Sequence, residues 1–348
     1  MAVDHRGADH RRRRIVLRRE GPLMAMTSAT AGPAAQSRNS GTVRARNRRE
    51  LLMLFGFLVA IWAVTAALSP RFLNPANIRD ILILAAPLGF VVIGQMIVII
   101  VRGLDLSVAS IMATVAVLAI GMGDNIAVIL VLGLILGTAM GAVNGYLVAF
   151  RHVTPFLATL ATMIVLQGLR FAYTGGAPSG TLPEGLRYLS TGTVAGIPVA
   201  VLLLLVVGAA AHWMLERTVF GRRLKLYGVN PDAARMTGAP VRFLVVMAFT
   251  ISGLMAAIGG LVLVGYVGIV DNWTGRGYEL DSIAAAVIGG AALSGGRGSV
   301  PGALLAALIL VSLFNIVVIL GLSTELQMLI KGSLIILAAA VYMTRSRA

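Results

Sequence analysis

Ten blocks of apolar residues, most of them close to twenty long, run through this chain between residues 51 and 343. An α-helix rises about 1.5 Å per residue, so a block of about twenty spans the roughly 30 Å hydrocarbon core of a bilayer. The blocks are 51–68, 79–101, 106–122, 126–150, 156–174, 197–215, 243–270, the short 280–294, 300–320 and 324–343. Of the 348 residues 58% are hydrophobic and only 12% charged, whereas a soluble domain carries about 25% charged residues. So few charges cannot coat a water-facing surface. The chain reads as an all-α, polytopic membrane protein of about ten transmembrane helices, with a membrane domain over 51–345.

The charges that remain are segregated. Net charge is +15, and 12 of the 29 Lys and Arg residues fall in residues 1–50, including the run Arg11-Arg12-Arg13-Arg14. This basic, Gly-, Ala- and Ser-containing stretch lacks the apolar residues to bury a core, and is expected to be a disordered, solvated cytoplasmic tail. Contact with anionic lipid is the sharper alternative. Met24 and Met26 offer alternative starts. A cleaved signal peptide is not expected, because the apolar run after Arg49 exceeds the 7–15 residues, roughly, of an h-region. Ten crossings place both termini on one side. With that side inside, inner segments hold 23 Lys and Arg and outer segments four, with Arg170 and Lys331 inside spans. Cytoplasmic loops are enriched in these residues, so the split supports cytoplasmic termini and removes the need for a nucleic-acid partner.

Several chemistries are excluded. The chain has no cysteine and four histidines, two of them in the tail, and His152 and His212 have no evident partner residues. Disulfides, thiolate metal sites and cysteine nucleophiles are absent, and no catalytic residue, metal or cofactor is expected. An ion-coupled carrier would place acids or histidines deep in its spans. Here Asp105, Asp281, Glu279 and Glu325 fall at span ends and His212 near an inner end. Arg170 and Lys331 lie within spans, and are expected to snorkel to an interface. Gly137, Gly141 and Gly145 form consecutive small-x-x-x-small steps in the fourth span, a device for close helix packing. Gly103-Leu104-Asp105-Leu106-Ser107 before the third span is echoed by Gly277-Tyr278-Glu279-Leu280-Asp281-Ser282 before the eighth. A five-span offset reverses direction, so a repeat there would be inverted.

The most informative polar stretch is 227–241. Asn230 is a good N-cap, Pro231 suits the first helical turn, and Asp232 faces the positive end of the helix dipole. Ala233 and Ala234 propagate the helix, Gly238 can take the left-handed stop, and Pro240 forbids continuation. A helix of about two turns over 231–237 is therefore expected, flanked by Arg222, Arg223, Lys225 and Arg242. Such a helix is too short to stand alone in water and needs something to lie against. Lipid headgroups or the protein's own base would serve, and so would a groove in a soluble partner.

Asp232-Ala233-Ala234 followed by Gly238 is similar to the Glu-Ala-Ala-x-x-x-Gly core of ABC importer permeases, with Asp in place of Glu. The wider stretch from Thr218-Val219-Phe220-Gly221-Arg222 through Gly228-Val229-Asn230-Pro231-Asp232-Ala233-Ala234-Arg235 resembles the ribose-type branch of these permeases. So do Gly103-Leu104-Asp105-Leu106-Ser107-Val108, Gly141-Ala142-Val143-Asn144-Gly145, and the run from Tyr278 through Gly290 into Leu293-Ser294-Gly295-Gly296-Arg297-Gly298-Ser299. The similarity covers roughly 50–345 in family order. Ala109 and Tyr227-Gly228-Val229 depart from the family pattern.

The resemblance implies a permease subunit paired with a second permease subunit, identical or related. Two ABC ATPase subunits would dock on the short helices, and an extracytoplasmic binding protein would deliver solute. It assigns coupling to Asn230, Pro231, Asp232, Ala233, Ala234, Arg235 and Gly238. The implied solute is a monosaccharide of the ribose, xylose or rhamnose class, or autoinducer-2. Branched-chain amino acids, or ion-coupled transport, are the alternatives. Leu293-Ser294-Gly295-Gly296-Arg297 mimics an ATPase signature. The phosphate-cradling Gly-x-x-x-x-Gly-Lys is missing, since neither Lys225 nor Lys331 follows a glycine. Candidate path residues are the polar groups in apolar spans: Gln95, Asn144, Thr159, Thr162, Gln167 and Asn315. Unsatisfied polar groups are costly in lipid, so each must face protein or water.

Overall fold

A computed structural model of the chain describes residues 33–321 and the positions 323, 325, 326, 329, 332 and 333. The chain divides into one unit over Met1–Arg46 and a second over Asn47–Ala348, which carries the membrane domain. Helix α1 runs Pro33–Leu68. The stretch 33–50, expected to be disordered, is therefore helical, as its Ala, Gln and Arg content permits; residues 1–32 lie outside the described residues. A 3-10 turn at Pro70–Leu73 leads into α2 (Pro75–Ile100), then α3 (Val108–Gly121), α4 (Ile126–Arg151) and α5 (Pro155–Thr174). A short helix α6 (Glu184–Thr191) and a hairpin of β1 (Thr193–Val194) and β2 (Ile197–Pro198) connect to α7 (Val199–Arg217). The hairpin is antiparallel, with Val194 opposite Ile197. Helices α8 (Val219–Val229), α9 (Pro231–Met236), α10 (Val241–Val267), α11 (Tyr278–Ile288) and α12 (Val300–Ile319) follow.

Seven of these helices are long and apolar enough to cross a membrane: α1 from Arg48, α2, α4, α5, α7, α10 and α12. Two expected spans are shorter helices. α3 has 14 residues and α11 only 11. The eighth span, expected over 280–294, stops being helical at Ile288 because Gly290 takes φ 96, which a right-handed helix cannot continue. The tenth, 324–343, and Lys331 within it fall largely outside the described residues, so ten full-length crossings are not reached among those described.

A helix that is apolar all round is covered either by protein or by lipid. Helix α2 is covered by protein, with 94% of its hydrophobic window buried, against 11% for the equally apolar window of α1. Phe90, Ile93, Met96, Ile97 and Ile100 on α2 are fully buried, in one cluster with Met255 and Val262 of α10 and Ala303, Ala306 and Leu310 of α12. Helices α4, α5 and α7 leave Val131, Ile135, Ile164, Leu169 and Val206 exposed, a surface that lipid satisfies. The glycine face of α4 packs on α10. A Cβ at Gly137 would stand 2.5 Å from the Gly253 oxygen, and one at Gly145 would stand 2.7 Å from Val246 Cα. One at Gly141 would strike the Phe249 oxygen. The small-residue steps therefore serve contact inside one chain. Helices α2–α3–α4 and α10–α11–α12 repeat one long–short–long pattern, 26, 14 and 26 residues against 27, 11 and 20. It matches the two sequence echoes: Gly103–Ser107 leads into α3, and Gly277–Ser282 caps and opens α11.

Candidate functional site

The expected loop helix is α9, Pro231–Met236. The Asn230 side chain accepts from the amides of Asp232 at 3.0 Å and Ala233 at 3.1 Å, so the cap forms as its chemistry requires. Arg235 pairs with Asp232 at 3.0 Å on the solvent side. Gly238 closes the helix in the left-handed region at φ 72, and the Ala239 amide reaches back to the Ala234 carbonyl at 3.2 Å. Ala234 is fully buried and ties α9 to the core. Opposite it, Met236 is 89% exposed and Val229 63%. A two-turn helix is thus pinned by one cap and one small buried residue, and presents a thioether and an ion pair outward.

Four of the six polar candidates converge on the break between α2 and α3. Thr162 donates to Asn144 Oδ1 at 2.6 Å, and Asn144 Nδ2 donates to Ser107 Oγ at 2.9 Å. Ser107 donates to Asp105 Oδ1 through its hydroxyl at 2.6 Å and its amide at 3.0 Å, while Ser252 of α10 donates to Oδ2 at 2.8 Å. Gln95, with its amide oriented to match its neighbours, donates to the Asp105 carbonyl at 3.0 Å and accepts from its amide at 3.2 Å. The Thr159 hydroxyl lies between the carbonyls of Pro155 at 3.0 Å and Leu104 at 3.3 Å. Gln95, Asp105, Ser107, Asn144, Thr159 and Ser252 are sealed from solvent, so this node joins α2, α4, α5 and α10 through the 103–107 break. Gln167 is half-buried on α5 beyond Thr162. Asn315 lies apart, exchanging hydrogen bonds with Asn77 at 2.8 and 3.2 Å and tying α12 to α2.

Asp105→Leu removes the acceptor of three donors and is expected to cost at least about 3 kcal/mol, since each stranded buried group costs about 1–3 kcal/mol. The thermal midpoint of detergent-solubilised protein checks this. Asp105→Asn, which keeps one acceptor oxygen, is expected to lose less.

Arg170 does not snorkel. It is buried on α5, where Nη1 donates to the Ser110 carbonyl at 2.9 Å and to Thr114 Oγ1 at 3.1 Å, and Nη2 to the Asn272 carbonyl at 3.2 Å. Packing of α5 against α3 and against the loop after α10 brings backbone carbonyls within its reach, and a guanidinium with several donors takes them. Among the described residues no cluster of His, Asp and Glu is placed to hold a metal. Asp105, Ser107, Ser252 and Asn272 belong to these networks but were not singled out as site residues in the sequence; Gly103-Leu104-Asp105-Leu106-Ser107 was the available signal for the first two.

Two broken spans in corresponding halves, a buried polar node at one break and a capped helix outside the bundle define a polytopic membrane transport subunit. The chain belongs to the family described as branched-chain amino acid transport system / permease component, whose model matches residues 77–339. It is 36% identical over 291 residues to the ribose import permease protein RbsC of Escherichia coli K12, covering 82% of this chain and 91% of that one. The ribose import permease protein of Bacillus subtilis 168 is also 36% identical, over 79% of this chain and 87% of its own. The autoinducer 2 import system permease protein LsrC of Salmonella paratyphi B is 33% identical over 87% of this chain and 88% of its own. No solved structure matches the chain.

Proposed function

We propose that this chain is the membrane-spanning permease of an ATP-driven, binding-protein-dependent importer of a monosaccharide of the ribose, xylose or rhamnose class or of autoinducer-2. The observation that carries the reading is similarity to ribose import permeases at 36% identity over 82% of the chain and 91% of the relative. The family description supports branched-chain amino acids as a second solute class.

In this reading the chain sits in the bacterial cytoplasmic membrane with both termini inside, as the 23-to-4 division of Lys and Arg supports. A second permease subunit completes the pathway. Energy comes from separate ABC ATPase subunits seated on α9, and an extracytoplasmic protein presents the solute. Asn230, Pro231 and Gly238 shape the docking helix, Ala233 and Ala234 seat it, and Asp232 and Arg235 face the ATPase. Of the polar residues expected along the solute path, Gln95, Asn144, Thr159 and Thr162 would act through the node, and Gln167 and Asn315 would flank it.

Purification from host membranes is expected to bring an ATPase with the chain. Uptake of ribose, xylose, rhamnose or leucine by the reconstituted complex should need ATP and survive an uncoupler. Full-rate uptake by the isolated chain, with no ATPase bound, would end this reading.

A further inference from the structure

Three chain segments meet at the base of α9. Helix α2 ends at Ile100, and two residues on Arg102 takes φ 64, a left-handed conformation disfavoured for any residue with a Cβ. From there its side chain reaches α8: Nε donates to the Gly228 carbonyl at 2.7 Å and Nη2 to the Val229 carbonyl at 2.7 Å. The last carbonyls of a helix lack internal partners and carry its negative dipole end, so a forked cation is well suited to them. The next residue, Asn230, caps α9.

The third segment is the 293–297 run. The Gly296 amide donates to the Ile100 carbonyl at 2.9 Å. A Cβ on Gly295 would stand 2.5 Å from Arg102 Cγ and 2.8 Å from the Gly228 carbonyl oxygen, and φ is 89 at Gly295 and 79 at Gly296. Two glycines here let one backbone lie flat against the other two. Toward the core, Gly103 is held by its amide to the Val98 carbonyl at 2.9 Å, and a Cβ there would stand 3.0 Å from Phe249 Cζ. Between Arg102 and Asp105 the chain therefore has little room to flex.

We propose that Arg102 is the positioning residue through which displacement of α9 reaches the buried node at Asp105, and through Ser252 reaches α10. This rests on the importer reading above. The grip is on backbone carbonyls at the joint between α8 and α9, so it follows the joint itself. Asp105 lies three residues along a packed strand of chain, and its carboxylate holds α10. Further along α10 the Val262 carbonyl accepts from Ser190 of α6 at 2.8 Å, which carries the same movement to the β1–β2 hairpin. Arg102 keeps an exposed edge, so replacing it leaves no buried cavity.

The chain has no cysteine, and Val194 in the hairpin is 51% exposed, so Val194→Cys can carry one environment-sensitive fluorophore. The assembled importer, purified with its ATPase, is mixed with ATP and vanadate. A nucleotide-dependent fluorescence change is expected in the otherwise unaltered protein. In Arg102→Gln the change should fall about tenfold or more, since both charge-assisted hydrogen bonds to the α8 carbonyls lose their charge, with the ATPase still bound and its basal hydrolysis intact.

If Arg102→Gln does not accumulate in the membrane, Arg102→Lys replaces it, keeping the charge without the fork, and the same loss is expected. An undiminished change in the variant overturns the proposal. So does loss of the ATPase from the variant, which would make Arg102 part of the dock alone, and so does absence of any change with Arg102 present. A chain that carries no ATPase at all overturns the importer reading first, and this inference with it.

Discussion

Deleting residues 231–237 is expected to reduce solute uptake to that of vesicles lacking the chain, while the protein still inserts and accumulates in the membrane. The segregation follows from what α9 touches. Only Ala234 of this helix is buried, so the deletion removes little core, and α8 and α10 keep their own hydrogen bonds on either side. What is lost is the one element that presents Met236 and the Asp232–Arg235 pair outward. A helix of this length has no independent stability, so its capped and pinned state points to a surface that something else meets. Met236→Asp is the finer companion. At 89% exposure the side chain contributes almost nothing to the isolated fold, and surface changes of this kind stay within about 0.5 kcal/mol. If Met236 fills a pocket on the ATPase, burying a carboxylate there should lower uptake by about tenfold or more. Uptake assays paired with quantification of chain in the membrane decide both. A deletion chain that imports at the unmodified rate would remove the coupling role from α9.

The contrast between α9 and the polar node shows where sequence reasoning has reach. The α9 cap was legible because it is local: Asn230, Pro231 and Gly238 act on backbone groups within three residues of themselves. The long spans were legible because bilayer thickness fixes their length. The eighth span was overextended because Gly289, Gly290, Ala291 and Ala292 are apolar enough to pass for helix, and hydropathy does not register φ 96 at Gly290. Arg170 was misplaced because snorkelling is a property of the side chain, whereas its actual partners, Ser110 and Asn272, come from 60 and 102 residues away. The node suffered the same limit. Gln95, Asn144, Thr159 and Thr162 stood out as polar groups in apolar spans, yet nothing in their spacing indicated that they share Asp105 and its neighbours. The Ser252 hydroxyl that closes the set is 147 residues from Asp105. Arg102 was invisible for another reason: a positive φ at a non-glycine residue is imposed by surrounding structure, not encoded at the residue.

The same close packing that hid the node from sequence leaves the α4–α10 seam no room for added side-chain volume. Gly141→Leu is expected to prevent accumulation of folded protein. A Cβ at this position already meets the Phe249 carbonyl oxygen, and Thr250 Cα lies 3.0 Å from it. Both obstacles are backbone, so no rotamer change relieves them, and α4 must move away from α10. That separation would break contact at Gly137 and Gly145, which approach α10 equally closely, and would strain the hydrogen bond from Asn144 on α4 to Ser107. Gly141→Ala, with one methyl, is expected to cost about 1–3 kcal/mol, the usual penalty for overfilling a packed site. Leucine adds three more carbons against the same wall, and its cost approaches the whole stability of a folded domain, about 5–15 kcal/mol. Gly56→Leu on α1 is the control, because a Cβ there meets nothing within 4 Å and its side chain would project into lipid. Monodisperse yield and thermal midpoint in detergent are expected to fall steeply from glycine through alanine to leucine at position 141, and to stay level at position 56. Equal tolerance at the two positions would mean that α4 and α10 do not meet through their backbones, and that the seam holding the node together is looser than described.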